Sequence, residues 1–330
     1  MGARPALRGQ AGGAGLRTAA APSHDGRFAP SPTGALHLGN LRTALLAWLF
    51  ARSAGARFLL RIEDLDPVRS RPEHEARQLA DLRAIGLDWD GAVMRQSARR
   101  RRHREALAVL EAAGRVYPCW CTRADVRTAT QAPHGPLPEG AYPGTCRLLT
   151  AAQRAARERS GRPPSLRLYA GTERIVFVDR MLGALDGVVD DFVLWRNDDT
   201  PAYNLAVMVD DADQEIGEVV RGDDLLASTQ RQLLLGRLLG LSSPRYAHVP
   251  LVLGPDGRRL AKRHGAVTLR DRARLGMDSR DAVGSMAADL AMVEPGERLL
   301  AGDLLERFDP DRLPRGPTML DSPTSPPSSS

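Results

Sequence analysis

Apolar and polar positions follow two different periods between residues 27 and 62. Residues 27–30 form a short apolar run that ends at a proline, and residues 57–62 form a second apolar run. Between them, residues 38–51 carry apolar side chains at helical spacing. The apolar side of this predicted helix consists of Leu41, Leu45, Trp48 and Leu49. The order of strand, helix and strand predicts a parallel α/β sheet.

The same periods predict further elements along the chain. We expect helices at residues 73–85, 97–113 and 223–239, and strands at residues 174–178, 191–194 and 203–209. From about residue 255 the pattern is mostly helical and polar. The segment from residue 117 to 146 differs from its surroundings because it holds all three cysteines and many prolines and glycines.

These changes of pattern predict an α/β domain that is split by an insertion and flanked by disordered tails. The expected divisions are a disordered extension at 1–24, the first half of the domain at 25–116, the insertion at 117–190, the second half at 191–254, a loop with a helical segment at 255–317, and a disordered tail at 318–330.

Composition changes this picture only slightly. The 330 residues carry a net charge of +6, mostly from arginine, which suits a polyanionic partner such as RNA but does not identify one. The run Arg99–Arg102 is open to two interpretations, an RNA backbone contact or a solvated helix start. No apolar run reaches about 18 residues and the first residues lack a secretory signal, so we expect a cytoplasmic protein without a membrane span.

The segment from residue 28 to 40 has the local chemistry of a phosphate or nucleotide site. A strand ends, prolines and glycines force a turn, and a helix begins near His37, which presents free backbone N–H groups and the positive end of the helix dipole. Gly39 allows a base or ribose to pack on the backbone, and His37 can donate to phosphate oxygens. A plain strand–turn–helix with a capping histidine is the alternative.

A second glycine-rich segment, residues 254–265, is dense in cations. Such a loop can close over a triphosphate and stabilise the charge that develops as pyrophosphate leaves. Taken alone the pattern is weak, because most basic loops are simply solvated.

Two arginines, Arg27 and Arg221, are candidates for carboxylate recognition because a guanidinium binds a carboxylate through two parallel hydrogen bonds. Ser31 and Glu63 follow predicted strands, where open α/β sheets bind ligands, and Tyr203 offers a phenol. Each arginine taken separately can equally be a surface side chain.

The odd number and close spacing of Cys119, Cys121 and Cys146 argue against a disulfide framework. Two thiolates of a Cys-x-Cys pair reach one ion, and Cys146 can supply a third, so the residues favour either a metal site or buried thiols.

Taken together, these segments resemble the class I aminoacyl-tRNA synthetases. The segment from residue 28 to 40 resembles the HIGH motif, with Asn40 in place of the second histidine, and residues 29–34 narrow the match to the glutamyl/glutaminyl branch. Residues 259–263 resemble the KMSKS motif, with Arg259 for the first lysine and Ala261 for a serine. The resemblance implies a Rossmann-like catalytic domain with a zinc-bearing insertion and a C-terminal helical segment similar to a stem-contact region.

The resemblance also implies roles for individual residues. The residues implied to bind glutamate are Arg27, Phe28, Ala29, Pro30, Ser31, Glu63, Tyr203 and Arg221. Those implied to bind ATP are His37, Gly39, Asn40 and Lys262, of which His37, Asn40 and Lys262 would be catalytic, with Mg²⁺ as a partner of the phosphates.

Short members of the family imply a structural zinc ion on a Cys-x-Cys pair and a Tyr-x-x-x-Cys pair. The matching residues are Cys119, Cys121, Tyr142 and Cys146. The stretch between Cys121 and Tyr142 is longer than the pattern requires and contains His134, which is a competing ligand.

Only 65 residues follow Gly265, too few for a large anticodon-binding region. This resembles the short form of the glutamyl-tRNA synthetase family, which implies a monomer that activates glutamate with ATP without tRNA. The glutamate would then pass to queuosine, the modified wobble base in the anticodon loop of tRNA(Asp). The alternatives are a truncated synthetase that charges an acceptor end and an inactive, zinc-bearing RNA-binding protein.

Overall fold

The computed structural model describes residues 23–122, 124–126, 141–171, 173–260, 264 and 267–319. Lys262, Ala261 and His134 lie outside the described residues, as do residues 1–22 and 320–330 of the predicted tails.

Twelve strands occur in the described part of the chain. They are β1 (Gly26–Phe28), β2 (Phe58–Ile62), β3 (Met94–Arg95), β4 (Val116–Cys119), β5 (Ser165–Leu168), β6 (Arg174–Asp179), β7 (Gly183–Val188), β8 (Val193–Trp195), β9 (Glu218–Gly222), β10 (Arg245–Val249), β11 (Val252–Leu253) and β12 (Thr318–Met319).

The α-helices of five residues or more in the same part of the chain number eight. They are α1 (Leu38–Ser53), α2 (Pro72–Ala84), α3 (Arg100–Ala112), α4 (Ala151–Arg159), α5 (Tyr203–Asp213), α6 (Leu226–Leu239), α7 (Leu269–Ala273) and α8 (Ser279–Asp289). Short 3₁₀ turns occur at Gln96–Arg99, Asp223–Leu225, Ala301–Arg307 and Pro310–Arg312.

A parallel sheet forms the centre of the molecule. Strands β1, β2 and β3 pair in that order, all parallel, and β9, β10 and β6 form a second parallel set with β7 antiparallel at its edge. The carbonyl of Asp25 accepts from the amides of Gly217 and Glu218 at 2.9 and 3.1 Å, which joins the start of β1 to the start of β9. The strand order therefore reverses between β1 and β9, the place where open α/β sheets bind ligands.

Two smaller sheets complete the strand pairing. Strands β4, β5 and β8 form an antiparallel sheet beside the cysteines, and β12 pairs with β11 in parallel. Thr318 and Met319 are therefore ordered, although the sequence analysis places them in a disordered tail. Pairing with β11 supplies the backbone hydrogen bonds that the composition of this segment does not suggest.

Helix α1 is the centre of the main core. Leu41, Leu45 and Leu49 are fully buried, and Phe50 and Ala51 are buried as well. The helix packs against β1 and β9 and also against the 3₁₀ turn Ala301–Arg307. Helix α1 is apolar on most of its sides and is therefore buried on most of them. Because the 3₁₀ turn packs on one of these sides, it belongs to the same core as the sheet.

Most of the predicted elements in the first half of the chain are confirmed within one or two residues. The predicted strand at residues 203–209 is wrong, because these residues lie in helix α5. Leu205, Ala206, Val207, Met208 and Val209 are all buried, since α5 packs between α3, α6 and β8. A short apolar run buried on all sides has no period that separates strand from helix.

Two parts of the chain differ from the predicted divisions. Hairpin β6–β7 falls within the predicted insertion, yet β6 pairs with β10 of the main sheet. The described residues after 267 contain two short helices, two 3₁₀ turns and strand β12 rather than a mostly helical segment. Within the described residues, no helix is both long and apolar enough to cross a bilayer.

Candidate functional site

A cavity of about 550 Å³ opens at the point where the strand order reverses, between β1 and β9. Its walls come from the ends of these strands, the turn after β1, the start of α1 and the start of α5. Eleven of the twelve residues predicted for glutamate and ATP line it: Arg27, Phe28, Ala29, Pro30, Ser31, His37, Gly39, Asn40, Glu63, Tyr203 and Arg221. The twelfth, Lys262, lies outside the described residues.

His37 caps helix α1 through a reciprocal pair of hydrogen bonds. Its Nδ1 accepts from the Asn40 amide, and the Asn40 Oδ1 accepts from the His37 amide, each at 3.2 Å. Because Nδ1 is the acceptor, Nε2 carries the ring proton of the neutral imidazole. Burial lowers the pKa of His37 to about 4, and nearby Arg259 acts in the same direction, so the ring is a neutral donor at physiological pH.

Gly39 leaves space for this histidine. A Cβ atom at residue 39 would lie 3.1 Å from the imidazole of His37 and 3.4 Å from Val252. The turn before it is held by Gln78, whose side-chain amide donates to the carbonyls of Ser31 and Gly34 at 3.0 and 2.7 Å. Gln78 is buried, and the sequence analysis did not identify it.

Four charged side chains form a buried cluster on one side of the cavity. The Asp211 carboxylate accepts from Arg27 Nε at 3.1 Å and from Arg61 Nη1 at 2.5 Å. Arg61 Nη2 also donates to Glu63 at 3.3 Å, and its Nη1 donates to the side chain of Gln214 at 2.9 Å. The two cations and two anions of this cluster thus balance one another's charge through direct hydrogen bonds.

The pKa directions of the two acids in this cluster are opposite. Burial alone would raise the pKa of Asp211, but Arg27 and Arg61 lower it, so Asp211 is ionised. Burial raises the pKa of Glu63, although Arg61 and Arg27 oppose the shift. Burial also raises the pKa of Tyr203, which keeps its phenol protonated and able to donate.

Arg221 stands apart from this balanced cluster. Its guanidinium donates to four neutral acceptors, which are His248 Nε2 at 3.1 Å, Gln232 Oε1 at 2.8 Å, Thr229 Oγ1 at 2.7 Å and the Leu225 carbonyl at 3.4 Å. Among the described residues no carboxylate forms an ion pair with it. Arg221 is only 4% exposed, so the cavity wall carries one buried positive charge without a counter-charge.

The residues that hold these groups in place were missed by the sequence analysis. They are Arg61, Gln78, Asp211, Thr229, Gln232 and His248, all of which are buried. Arg61 offered a usable signal, because it is a charged residue inside an otherwise apolar strand, and such a residue needs a buried partner. Asp211 followed a segment that was assigned to the wrong element.

The arginine run at Arg99–Arg102 is engaged within the chain. Arg99 forms ion pairs with Asp210 and Asp213, and Arg102 also pairs with Asp213. Arg100 pairs with Asp199, and Arg101 with Glu105. The ion pairs of Arg99 and Arg102 join the start of α3 to α5, and all four cations are paired within the chain.

The structure describes residues 254–260 and 264 of the second basic segment. Arg259 lines the cavity and pairs with Asp224. The Leu260 amide donates to the Val252 carbonyl at 3.0 Å, and the Leu38 amide, at the start of α1, donates to the Val267 carbonyl at 2.8 Å. Leu260 is thus attached to Val252, which lies beside Gly39, and Val267 is attached to the start of α1.

A second cluster lies in the predicted insertion. The sulfur atoms of Cys119, Cys121 and Cys146 lie within 4.8 Å of one another, and the Tyr142 hydroxyl lies 3.4 and 3.5 Å from the first two. All three cysteines are free thiols. Strand β4 supplies Cys119, and the other three residues converge on it from the adjoining loops, so the predicted ligand set is brought together.

The surroundings act differently on the members of this cluster, because the hydrogen bond with Cys119 raises the pKa of Cys121 and burial raises the pKa of Tyr142. A hydrogen bond from Cys121, with Arg167 nearby, lowers the pKa of Cys119 to about 4. The Arg167 guanidinium lies 3.8 Å from the centre of the Tyr142 ring. A cation over the ring offsets the negative charge that three thiolates and a phenol would gather around one ion.

Comparison with known proteins shows the family to which the chain belongs. The family model described as "tRNA synthetases class I (E and Q), catalytic domain" matches residues 25–285. The chain is 58% identical over 295 residues to a glutamyl-Q tRNA(Asp) synthetase of Nocardia farcinica, covering 89% of this chain and 92% of the relative. It is 50% identical over 311 residues to a glutamyl-Q tRNA(Asp) synthetase of Symbiobacterium thermophilum, covering 91% and 96%.

The fold is similar to that of a glutamate tRNA ligase from Elizabethkingia meningosepticum that was crystallised with its amino acid. The TM-score is 0.76 and the sequence identity 26%, and the match covers 91% of this chain and 67% of the other.

We expect the buried charge cluster to contribute to the stability of the fold. Replacing Asp211 with Asn removes the charge that balances two buried arginines, so the free energy of unfolding should fall by about 3 kcal/mol or more. Asp213→Asn is the matched control, because Asp213 is partly exposed and its ion pairs should contribute at most about 1 kcal/mol. Equilibrium unfolding in urea measures both losses.

The pH dependence of the free energy of unfolding tests whether the ionised carboxylate of Asp211 causes the loss. The folded-state pKa of Asp211 is lowered, so its stabilisation is present above the ordinary value of 3.8 and is lost as the pH falls below it. The difference between wild type and Asp211→Asn should therefore shrink in acid. Equal losses for the two variants at neutral pH would contradict the proposed charge balance.

Proposed function

Since the chain belongs to the class I tRNA synthetases for glutamate and glutamine, we propose that it activates glutamate with ATP and transfers it to queuosine of tRNA(Asp). The names of its relatives support this choice of substrates. The observation that carries the proposal is the uncompensated buried charge of Arg221 beside a cluster that is already neutral.

The net charge of the ligand follows from this imbalance. A ligand with a net charge of −1 would neutralise the cavity wall, and glutamate has two carboxylates and one ammonium group. A neutral amino acid such as glutamine would leave Arg221 buried without a counter-charge, which is costly. The site therefore favours glutamate over glutamine.

Each polar group of glutamate has a partner in the cavity. We assign the side-chain carboxylate to Arg221, with the protonated phenol of Tyr203 as a further donor, because the α-carboxylate has to face ATP. Glu63 would accept from the ammonium group. Arg27 would use the donors left free by Asp211, and Phe28, Ala29, Pro30 and Ser31 would form the wall beside it.

ATP would occupy the part of the cavity at the start of α1. The neutral His37 ring can donate through Nε2 to a phosphate oxygen, and the helix terminus offers backbone N–H groups. Gly39 and Asn40 would lie against the nucleotide, and Lys262 and Mg²⁺ would carry the charge of the leaving pyrophosphate. The enzyme would act by alignment and charge stabilisation rather than by acid–base catalysis.

The reaction has two steps that conserve atoms and charge. An oxygen of the glutamate α-carboxylate forms a bond to the α-phosphorus, and the bond from that phosphorus to the bridging oxygen breaks, which releases pyrophosphate. A hydroxyl of the queuosine ring then attacks the acyl carbon and loses its proton, and AMP leaves.

The four-residue cluster of the insertion fits a zinc ion. Three thiol sulfurs and a phenol oxygen are the right kind and number of donors for a tetrahedral site, and no described pair of these cysteines is bridged. When bound, zinc would hold β4 and the loops beside it together and would take no part in the reaction. Cys119, Cys121, Tyr142 and Cys146 would be its ligands.

The experiment that tests the proposed function compares tRNA substrates. With labelled glutamate and ATP, stable attachment should occur to tRNA(Asp) that contains queuosine and not to the same tRNA with unmodified guanine. Pyrophosphate exchange should require glutamate but no tRNA. Charging of tRNA(Glu) would favour a truncated acceptor-charging enzyme, and an absence of exchange would favour an RNA-binding protein.

Arg221 makes a second prediction. Arg221→Gln should raise the KM for glutamate at least about 30-fold, because losing one partner of a buried charge pair costs about 2 kcal/mol or more. The KM for ATP should change little. The control is Arg245→Gln, on the neighbouring strand and outside the cavity, which should leave both constants unchanged. Equal changes for both substrates would argue against a glutamate contact.

The zinc proposal is tested by binding rather than by activity. Tyr142→Phe removes only the phenol oxygen and should weaken zinc binding at least about tenfold in competition with a chromophoric chelator. Tyr169→Phe, a partly exposed tyrosine in the same part of the chain, is the control. Loss of zinc in His134→Ala, with full binding in Tyr142→Phe, would assign the fourth ligand to His134.

A further inference from the structure

A buried pair behind Arg221 has no role in the chemistry described so far. Asp179, at the end of β6, accepts from His248 Nδ1 at 2.6 Å and from the His248 amide at 3.2 Å. His248, on β10, is fully buried, and its Nε2 lies 3.1 Å from Arg221 Nε. Three neighbouring strands, β6, β10 and β9, thus carry one continuous chain of hydrogen bonds.

The direction of these bonds fixes the tautomer of the ring. Arg221 has only donors, so His248 Nε2 has to present its lone pair to it. The ring proton therefore lies on Nδ1, where an ionised Asp179 accepts it. A protonated Nε2 could donate to Thr229 Oγ1, which lies 3.0 Å away, but its N–H group would then also face the Arg221 guanidinium, and the bond from Arg221 would be replaced by repulsion.

The remaining contacts leave Arg221 little freedom. Thr229 and Gln232 accept from its two terminal nitrogens, and the Gln232 amide is itself held by Asn204 at 3.2 Å. The His248 ring stacks on Tyr246 with an angle of 10° between the planes, which holds the imidazole edge toward Arg221. Each of these acceptors is neutral, so the position is fixed while the positive charge is preserved.

We infer that Asp179 and His248 are positioning residues for glutamate recognition, because Asp179 selects the His248 tautomer that aims Arg221 into the cavity without neutralising it. A carboxylate in the place of His248 would hold Arg221 equally well but would cancel the charge that the substrate needs. This inference rests on the proposed function, since it explains how the binding site for a carboxylate is built.

Two substitutions at residue 248 test the roles of the two ring nitrogens, Nδ1 and Nε2, separately. His248→Gln keeps an acceptor near the position of Nε2 and loses the donor to Asp179. His248→Asn keeps a donor near Nδ1 and loses the acceptor for Arg221. The KM for glutamate should rise about tenfold in His248→Asn and stay within about threefold in His248→Gln, with the KM for ATP unchanged in both.

Asp179→Asn tests the tautomer itself. Its oxygen can still accept from the amides of Met181 and Leu182, as Asp179 Oδ1 does at 2.9 and 3.0 Å, while its NH₂ group faces His248 Nδ1. The ring proton should then move to Nε2. The KM for glutamate should rise about tenfold or more, and adding His248→Gln should recover most of that loss.

His103→Asn is the matched control. His103 is also fully buried and lies 2.9 Å from an aspartate, Asp210, but it does not line the cavity. Its substitution should lower stability and leave both KM values unchanged. If His248→Asn and His248→Gln behave alike, or if glutamate and ATP are affected equally, the inference is overturned.

Nitrogen NMR of histidine-labelled protein gives a readout that needs no activity. The His248 signals, assigned by their loss in His248→Gln, should show a protonated Nδ1 and a bare Nε2 in the wild type, with the pattern reversed in Asp179→Asn. A protonated Nε2 in the wild type would overturn the inference. Wild-type protein without glutamate-dependent exchange would instead refute the proposed function, while the NMR result would still decide the tautomer.

Discussion

The carboxylate of Asp211 lies between two guanidinium groups in a place that water does not reach. Buried charges are tolerated only when they are paired and hydrogen-bonded, so this one contact fixes where Arg27 and Arg61 lie. Arg61 in turn holds Glu63 at the edge of the cavity. Because these four charges cancel, the charge of Arg221 remains available to a ligand.

The topology explains why the two halves of the site meet. Arg27 is on β1 and Arg221 is on β9, the two strands on either side of the point where the strand order reverses. Connections leave such a point in opposite directions, which opens a crevice that no side chain has to fill. The starts of α1 and α5 both line this crevice, so the residues predicted for ATP and those predicted for glutamate lie around one cavity.

Local chemistry was predictable from the sequence, and partners distant in the chain were not. The turn, the His37 cap and the glycine at residue 39 are properties of consecutive residues, and a parallel sheet places Arg27 and Glu63 at one edge. Asp211 and His248 act through residues on other elements, so no short pattern marks them. The error at residues 203–209 had the same origin, since burial on every side comes from tertiary packing that periodicity does not record.

The hydrogen bond from the Leu38 amide to the Val267 carbonyl joins the start of α1 to the chain just after the basic segment 254–265, through main-chain atoms alone. Any residue except proline can donate this hydrogen bond from position 38, and any residue can accept it at position 267. The bond itself therefore sets no requirement on either side chain, and what limits residues 38 and 267 is the packing of Leu38 and Val267, which are both buried in the main core. Only proline at residue 38, which lacks the donor, would disconnect the segments.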